Sequence, residues 1–174
     1  FLGIEKEKAL RALDKVNPDF GSLKIWTADL GFPPRRFYLA SAFAANDPQS
    51  TRFVLSRVMK RINLEDKELI GLLNFRQDRG DRTIQWSQAL KKGFFPEFKE
   101  LIFVGGHALA LRSRLKKTLK IELSVIKDKE PQKIMEKISA KAKGETILFG
   151  MGNMGGAGKE LVRYWENIGK TYDL

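Results

Sequence analysis

From residue 36 onward, short apolar runs alternate with amphipathic stretches, and this alternation constrains the fold more than any other feature of the chain. Apolar runs of about four to eight residues between helical periodicities read as strands buried on both faces, and such strands build a mostly parallel sheet. The runs lie at 36–43, 68–75, 101–104, 121–126 and 146–149. Helical periodicity fills 47–62, 83–92, 107–119, 131–142 and 157–168. Pro48 stands in the first turn expected for 47–62, a position where its missing N–H costs nothing. Ahead of these, residues 23–30 read as a strand joined to 36–43 by Gly31-Phe32-Pro33-Pro34, a link short enough for an antiparallel pair. A further helix is expected over 5–16, stopped by Asn17-Pro18. The expected fold is α/β in three layers, with a mostly parallel six-stranded sheet and one antiparallel edge strand.

Composition removes several chemistries. With no cysteine there is no disulfide, thiolate nucleophile or Cys-based zinc site. His107 is the only histidine, so a multi-His metal centre cannot form, and no metal ligands are assigned. It follows Gly105-Gly106, where it reads as a helix-start residue or a local anion contact. No run of about 18 apolar residues is present, the length a membrane-crossing helix requires. The chain opens on Phe1 rather than Met, and is expected to be a piece of a longer protein.

Lys and Arg number 32 against 21 Asp and Glu, a net charge of +11. The excess is spread over both halves, and its densest stretch is Arg112 to Lys120, with five bases and no acid. Such a surface attracts anions, whether nucleotides, nucleic acid or acidic polymers, although charge runs are often only solvated helix faces. Trp26, Trp86 and Trp165 read as core and interface residues rather than as a stacking platform for single-stranded RNA.

In open α/β sheets ligands bind at the carboxyl ends of the strands. Three loops follow such ends. The first, 44–50, contains Asn46, Asp47 and Ser50; Asn46 or Asp47 can cap the next helix, and a capping loop there can also touch a nucleotide. The second, 76–82, places Arg76, Arg79 and Arg82 at spacing three, interleaved with Asp78 and Asp81. Guanidinium groups grip carboxylate or phosphate with two parallel hydrogen bonds, so the loop reads as an anion site; the alternative is a self-paired, solvated turn. The third, 150–158, contains Gly150, Gly152, Gly155, Gly156 and Gly158 with Asn153, and runs into Lys159. Backbone N–H groups at such a helix start can hold an anion. The loop is neither a dinucleotide fingerprint, since no acidic strand follows, nor a P-loop, since Asn153 and Glu160 stand where Gly and Ser or Thr are needed. It remains a glycine-rich loop that lets a ligand approach the backbone, or a tight strand-to-helix turn.

Taken together, Phe43-Ala44-Ala45-Asn46-Asp47-Pro48 with Ser50-Thr51, then residues 74–83 (NFRQDRGDRT), then 149–158 (FGMGNMGGAG), resemble the ligase subunits of poly-gamma-glutamate synthases, also called capsule biosynthesis ligases. Those proteins are similar to the Mur ligases of peptidoglycan synthesis. The resemblance covers nearly the whole chain, is most specific in 74–83 and 149–158, and is weaker over 1–35. It implies a Rossmann-like, Mur-type C-terminal domain at 18–174, with 1–17 as the tail of a central ATP-binding domain that carries the P-loop. Many Mur ligases have a Gly-Arg pair ahead of the first strand of this domain, its Arg reaching ATP; the matching stretch here, 18–23, contains no Arg.

What the resemblance implies is ATP-dependent, ADP-forming amide bond formation through the γ-carboxylate of glutamate, by way of an acyl phosphate. ATP and Mg²⁺ would be bound mainly by the preceding domain. Arg76, Arg79, Arg82, Asn153 and Lys159 would face the acidic substrate, Asn46, Asp47 and Ser50 the nucleotide, and no catalytic residue is assigned. The implied partners are that upstream domain, glutamate and its polymer, and membrane subunits of a synthase, with the ligase in the cytoplasm at the membrane's inner face. Nucleic acid is not an expected partner. Two other readings stay open: a basic nucleic-acid-binding module, which lacks any helix-turn-helix, zinc or RNA-recognition signature here, and a free-standing nucleotide-binding α/β protein.

Overall fold

The computed structural model describes residues 23–172, so the helix expected over 5–16 lies outside the described residues. Strands β1 (Lys24–Leu30) and β2 (Arg35–Ser41) pair antiparallel, Leu30 opposite Arg35, as the short Gly-Pro link predicts. There follow α1 (Pro48–Arg61), β3 (Glu68–Phe75), α2 (Gly80–Lys91), β4 (Glu100–Gly105), α3 (Ala108–Leu115), β5 (Glu122–Val125), α4 (Pro131–Lys141), β6 (Thr146–Gly152) and α5 (Ala157–Ile168). A two-residue strand, β7 (Lys170–Thr171), closes the described chain. The strand order is β5-β4-β3-β6-β2-β1-β7, and β2 to β6 are mutually parallel. Among the described residues the sheet therefore has seven strands rather than the expected six, and β1 is not its outermost strand, because β7 pairs outside it.

Side-chain alternation along the strands divides the core into two layers. Leu69, Leu73, Phe75, Leu101, Phe103, Phe149 and Met151 face α1, α2 and α3. Ile70, Leu72, Ile102, Val104 and Leu148 face α4 and α5. The three tryptophans are buried, as expected: Trp86 stacks on Phe95, and Trp165 packs edge-on against Trp26.

Several expected boundaries shift. α3 stops at Leu115 rather than 119, its end closed by Thr118 and Leu119 N–H groups donating to the Leu115 carbonyl. Part of the basic run is thereby structural: Arg112 Nε donates to the Leu123 carbonyl at 2.9 Å and covers the free edge of β5. β6 runs to Gly152 rather than 149, and α2 starts at Gly80 rather than 83.

Chain direction fixes where a ligand can sit. From β3 the chain moves outward to β4 and β5 through helices on one face. It returns on the other face through α4 to β6, which lies between β3 and β2. The loops leaving the adjacent strands β3 and β6 thus diverge to opposite faces, and such a switch point is where an open α/β sheet forms its crevice.

Candidate functional site

At that switch point, Asn74 of β3 lies beside Gly152 of β6 in the sheet register. The buried Asn74 amide donates from Nδ2 to the carbonyls of Asn153 (2.6 Å) and Gly155 (2.8 Å). In return, Asn153 donates from its backbone N (3.0 Å) and its Nδ2 (3.2 Å) to the Asn74 carbonyl. Backbone polar groups at a buried strand end need partners, and these two asparagines supply them for the loop that opens α5. Gly152 permits the approach: its φ is +96°, and a Cβ there would lie 2.6 Å from the Asn74 carbonyl oxygen.

The glycine-rich segment is consequently less of a loop than its sequence suggests. Gly150 and Gly152 are strand residues, Gly158 is in the first turn of α5, and only Gly155 and Gly156 lie in the turn between. Gly150 is required by packing, since a Cβ there would come 2.4 Å from the Phe43 ring and 2.8 Å from that of Trp165. Gly155 lies against Arg76, where a Cβ would meet the guanidinium at 2.5 Å.

The arginine segment is likewise redistributed. Arg76 follows the end of β3, Arg79 holds the N-cap position of α2, and Arg82 lies in its first turn. Arg76 forms a two-point pair with Asp78, Nε to Oδ1 at 2.9 Å and Nη2 to Oδ2 at 2.6 Å. That hydrogen-bonded guanidinium, with the charge of Arg79 adding to it, holds the Asp78 carboxyl below its ordinary value. Arg82 donates to Gln85 Oε1 at 3.2 Å. Arg79 is exposed and has no carboxylate within ion-pair distance among the described residues.

These three arginines meet the other two loops in one notch. A polar depression of about 250 Å³ is lined by Asn46, Arg76, Arg79, Arg82, Asn153 and Gly155, together with Met154. The three loops singled out by their place in the sequence thus converge. Asp47 stands at the edge of this group as the N-cap of α1, accepting from the Ser50 backbone N at 2.9 Å. Burial alone would raise its carboxyl, but the Ser50 hydrogen bonds and the nearby Arg82 charge outweigh that and hold it low. Ser50 itself is exposed on the first turn. Lys159 is not in the notch; it lines a larger cleft on the other side of Arg76 and Gly155. His107 occupies the N-cap position of α3 without a side-chain capping bond, and contacts the Gln77 carbonyl through Nε2 at 3.0 Å, which ties the β3 and β4 loops together.

Two groups of site residues are less apparent in the sequence. Asn74 sits inside an apolar run and looks like an interruption of it, although a lone amide in a buried strand must find partners. Lys127 and Lys129 follow β5 and line the larger cleft. Their place at a strand's carboxyl end was a usable signal, masked by the alternating Lys-Asp-Lys-Glu pattern of an ordinary solvated loop.

Comparison with known proteins bears on the family and the fold. Residues 27–168 match the family described as the poly-gamma-glutamate synthase CapB C-terminal domain. The capsule biosynthesis protein CapB of Bacillus anthracis is 30% identical, over 97% of this chain and 36% of that protein. Among solved structures, MurF from Acinetobacter baumannii superposes with a TM-score of 0.58 at 15% identity, covering 93% of this chain and 35% of MurF. The chain spans about a third of the length of these relatives. The fold is that of a Mur-ligase-like domain, and the family match covers most of the chain, which therefore belongs to the poly-gamma-glutamate synthase CapB C-terminal domain family.

Proposed function

We propose that residues 18–174 are the C-terminal domain of an ATP-dependent, ADP-forming ligase that joins glutamate units through the γ-carboxylate, and that 1–17 end its preceding ATP-binding domain. The observation that carries this reading is the arginine notch at the sheet's switch point, in a chain of this family. In the reaction, an oxygen of the glutamyl γ-carboxylate attacks the γ-phosphorus of ATP and ADP departs. The amine of the next glutamate then attacks the activated carbonyl carbon, phosphate leaves, and the amine gives up a proton as the amide forms.

This domain's share is electrostatic. Arg79 and Arg82 offer fixed positive charge to carboxylates or to phosphoryl oxygens as their charge grows, and groups already in place do this without reorganisation. Asn46, Asp47 and Ser50 lie on the side we assign to the nucleotide. Among the described residues no three His, Cys, Asp or Glu side chains gather in one place. We assign Mg²⁺ and the triphosphate grip to the preceding domain, as the resemblance to Mur-type ligases implies. The same reading puts the reaction in the cytoplasm, with membrane subunits of a synthase as partners; among the described residues no helix is long and apolar enough to cross a membrane.

The test is glutamate-dependent ADP release by the full-length protein. Losing one charge-assisted contact costs roughly 1.5–3 kcal/mol, or about 10- to 150-fold in kcat/KM. Arg79→Ala and Arg82→Ala are expected to fall in that range, and Arg→Lys to recover little, because an ammonium lacks the two-pronged geometry. Folded arginine variants with wild-type kinetics would reduce the notch to a solvated turn.

A further inference from the structure

Beside the arginine notch, the carboxyl edge of the sheet carries a larger cleft of about 610 Å³, bordered by the loops after β3, β4, β5 and β6. Three carboxylates line it, and each is already engaged. Asp78 is paired with Arg76 at 2.6 Å, Asp128 with Lys137 at 2.5 Å and Glu160 with Arg163 at 3.3 Å. Lys137 and Arg163 are not among the lining residues, so two of the three acids are neutralised from outside the cleft. Lys127, Lys129 and Lys159 also line it, and none has a carboxylate within ion-pair distance among the described residues. The cleft's anions are satisfied and its three lysines are unopposed.

The cleft also has neighbours on both sides. Arg76 and Gly155 line both the notch and the cleft. Lys127 lines both the cleft and a third depression of about 330 Å³ along β5, where Arg112, already bonded to the Leu123 carbonyl, and Lys141, already paired with Glu100 at 3.1 Å, leave Lys127, among the described residues, as the cation free for a ligand. The three depressions abut in a row from the centre of the sheet to its free edge, with a basic residue at each junction. Clefts of about 300–1,000 Å³ hold ligands much larger than one amino acid.

We infer that this row is a binding track for a polycarboxylate chain, holding several successive units of a glutamate polymer whose reacting end lies in the notch. The inference rests on the ligase reading for the identity of the chain, and on the engaged acids and unopposed lysines for the track itself. The lysines are exposed, so each contact is weak and screened by salt. Many weak contacts suit a chain that must slide forward after each addition, where a few strong ones would hold it in place.

The test uses the full-length protein and a γ-linked glutamate decamer labelled at one end, with binding read by fluorescence anisotropy at low and at physiological salt. The double variant Lys127→Ala/Lys129→Ala is compared with Lys116→Ala/Lys117→Ala, which removes the same charge away from the track. The first should raise the decamer Kd roughly three- to tenfold at low salt, while the γ-linked dimer is far less affected and the control stays near wild type. Equal weakening in both doubles, or none in the first, overturns the track. If ADP release is absent yet decamer binding depends on Lys127 and Lys129, the track stands and the ligase reading falls. If ADP release is present and both doubles bind the decamer like wild type, the track falls and the ligase reading stands.

Discussion

Asn74 and Asn153, 79 residues apart in sequence, hold each other's main chains: each side-chain amide donates to the other's carbonyl, at 2.6 and 3.2 Å. Asn74 adds a second bond, to Gly155, and through it sets the turn that forms one wall of the notch. Asn74→Ala leaves two loop carbonyls without their donor, so stability should fall by about 1–3 kcal/mol. The check is the urea midpoint, with faster amide exchange concentrated in residues 153–156. Asn74→Asp has nearly the same shape but cannot donate when ionised, and should do no better than alanine.

Gly150→Ala should destabilise by roughly 1–3 kcal/mol through overpacking, because the new methyl meets the Phe43 and Trp165 rings, which are themselves only 5.8 Å apart between centroids. Thermal unfolding checks it. Gly156→Ala meets no atom within 4 Å and is strained only by its φ of +70°, so its core should stay intact. A Gly150→Ala protein as stable as wild type would show that the two rings move aside freely.

Asp47→Ala removes the cap of α1 and should cost about 0.5–2 kcal/mol at pH 7, while Asp47→Asn keeps most of the cap. The folded carboxyl sits below its unfolded value, so its contribution is complete above the unfolded pKa of about 4 and is lost as pH falls through the folded value. The gap in thermal midpoint between wild type and Asp47→Asn should therefore change below about pH 4 and stay constant above it.

Asp78→Asn removes the anion that occupies the guanidinium of Arg76. The pair is exposed, so the melting temperature should hardly move. The liberated fork faces both depressions, and decamer affinity should rise by a small factor that disappears at high salt. Unchanged affinity at low salt would place Arg76 outside the path of the ligand.

The repeating strand-helix order was plain in the sequence because both its periods are long and uninterrupted, as in residues 68–75 and 157–168. The convergence of Asn46, Arg79 and Asn153 also followed from it, once parallel strands put their following loops on one edge. β7 was hidden, since two exposed residues carry no periodicity. The glycines misled for a related reason. Gly150 and Gly152 look like loop punctuation, whereas one yields space to two aromatic rings and the other to a neighbouring carbonyl. Neither neighbour is close in sequence, and spacing along a chain cannot report a contact made across the sheet.

Among the described residues β6 is the last long strand, yet it lies at the centre, pairing with β2 on one side and β3 on the other. Among the described residues nothing else bridges β2 and β3 in the sheet. During synthesis, therefore, the hairpin of β1 and β2 and the ladder of β3, β4 and β5 can form only as two separate pieces, each with an open inner edge. They become one sheet when residues 146–152 arrive to fill the gap. Assembly through such a late, long-range insertion is slow, and until it happens both inner edges are open to pairing with other chains.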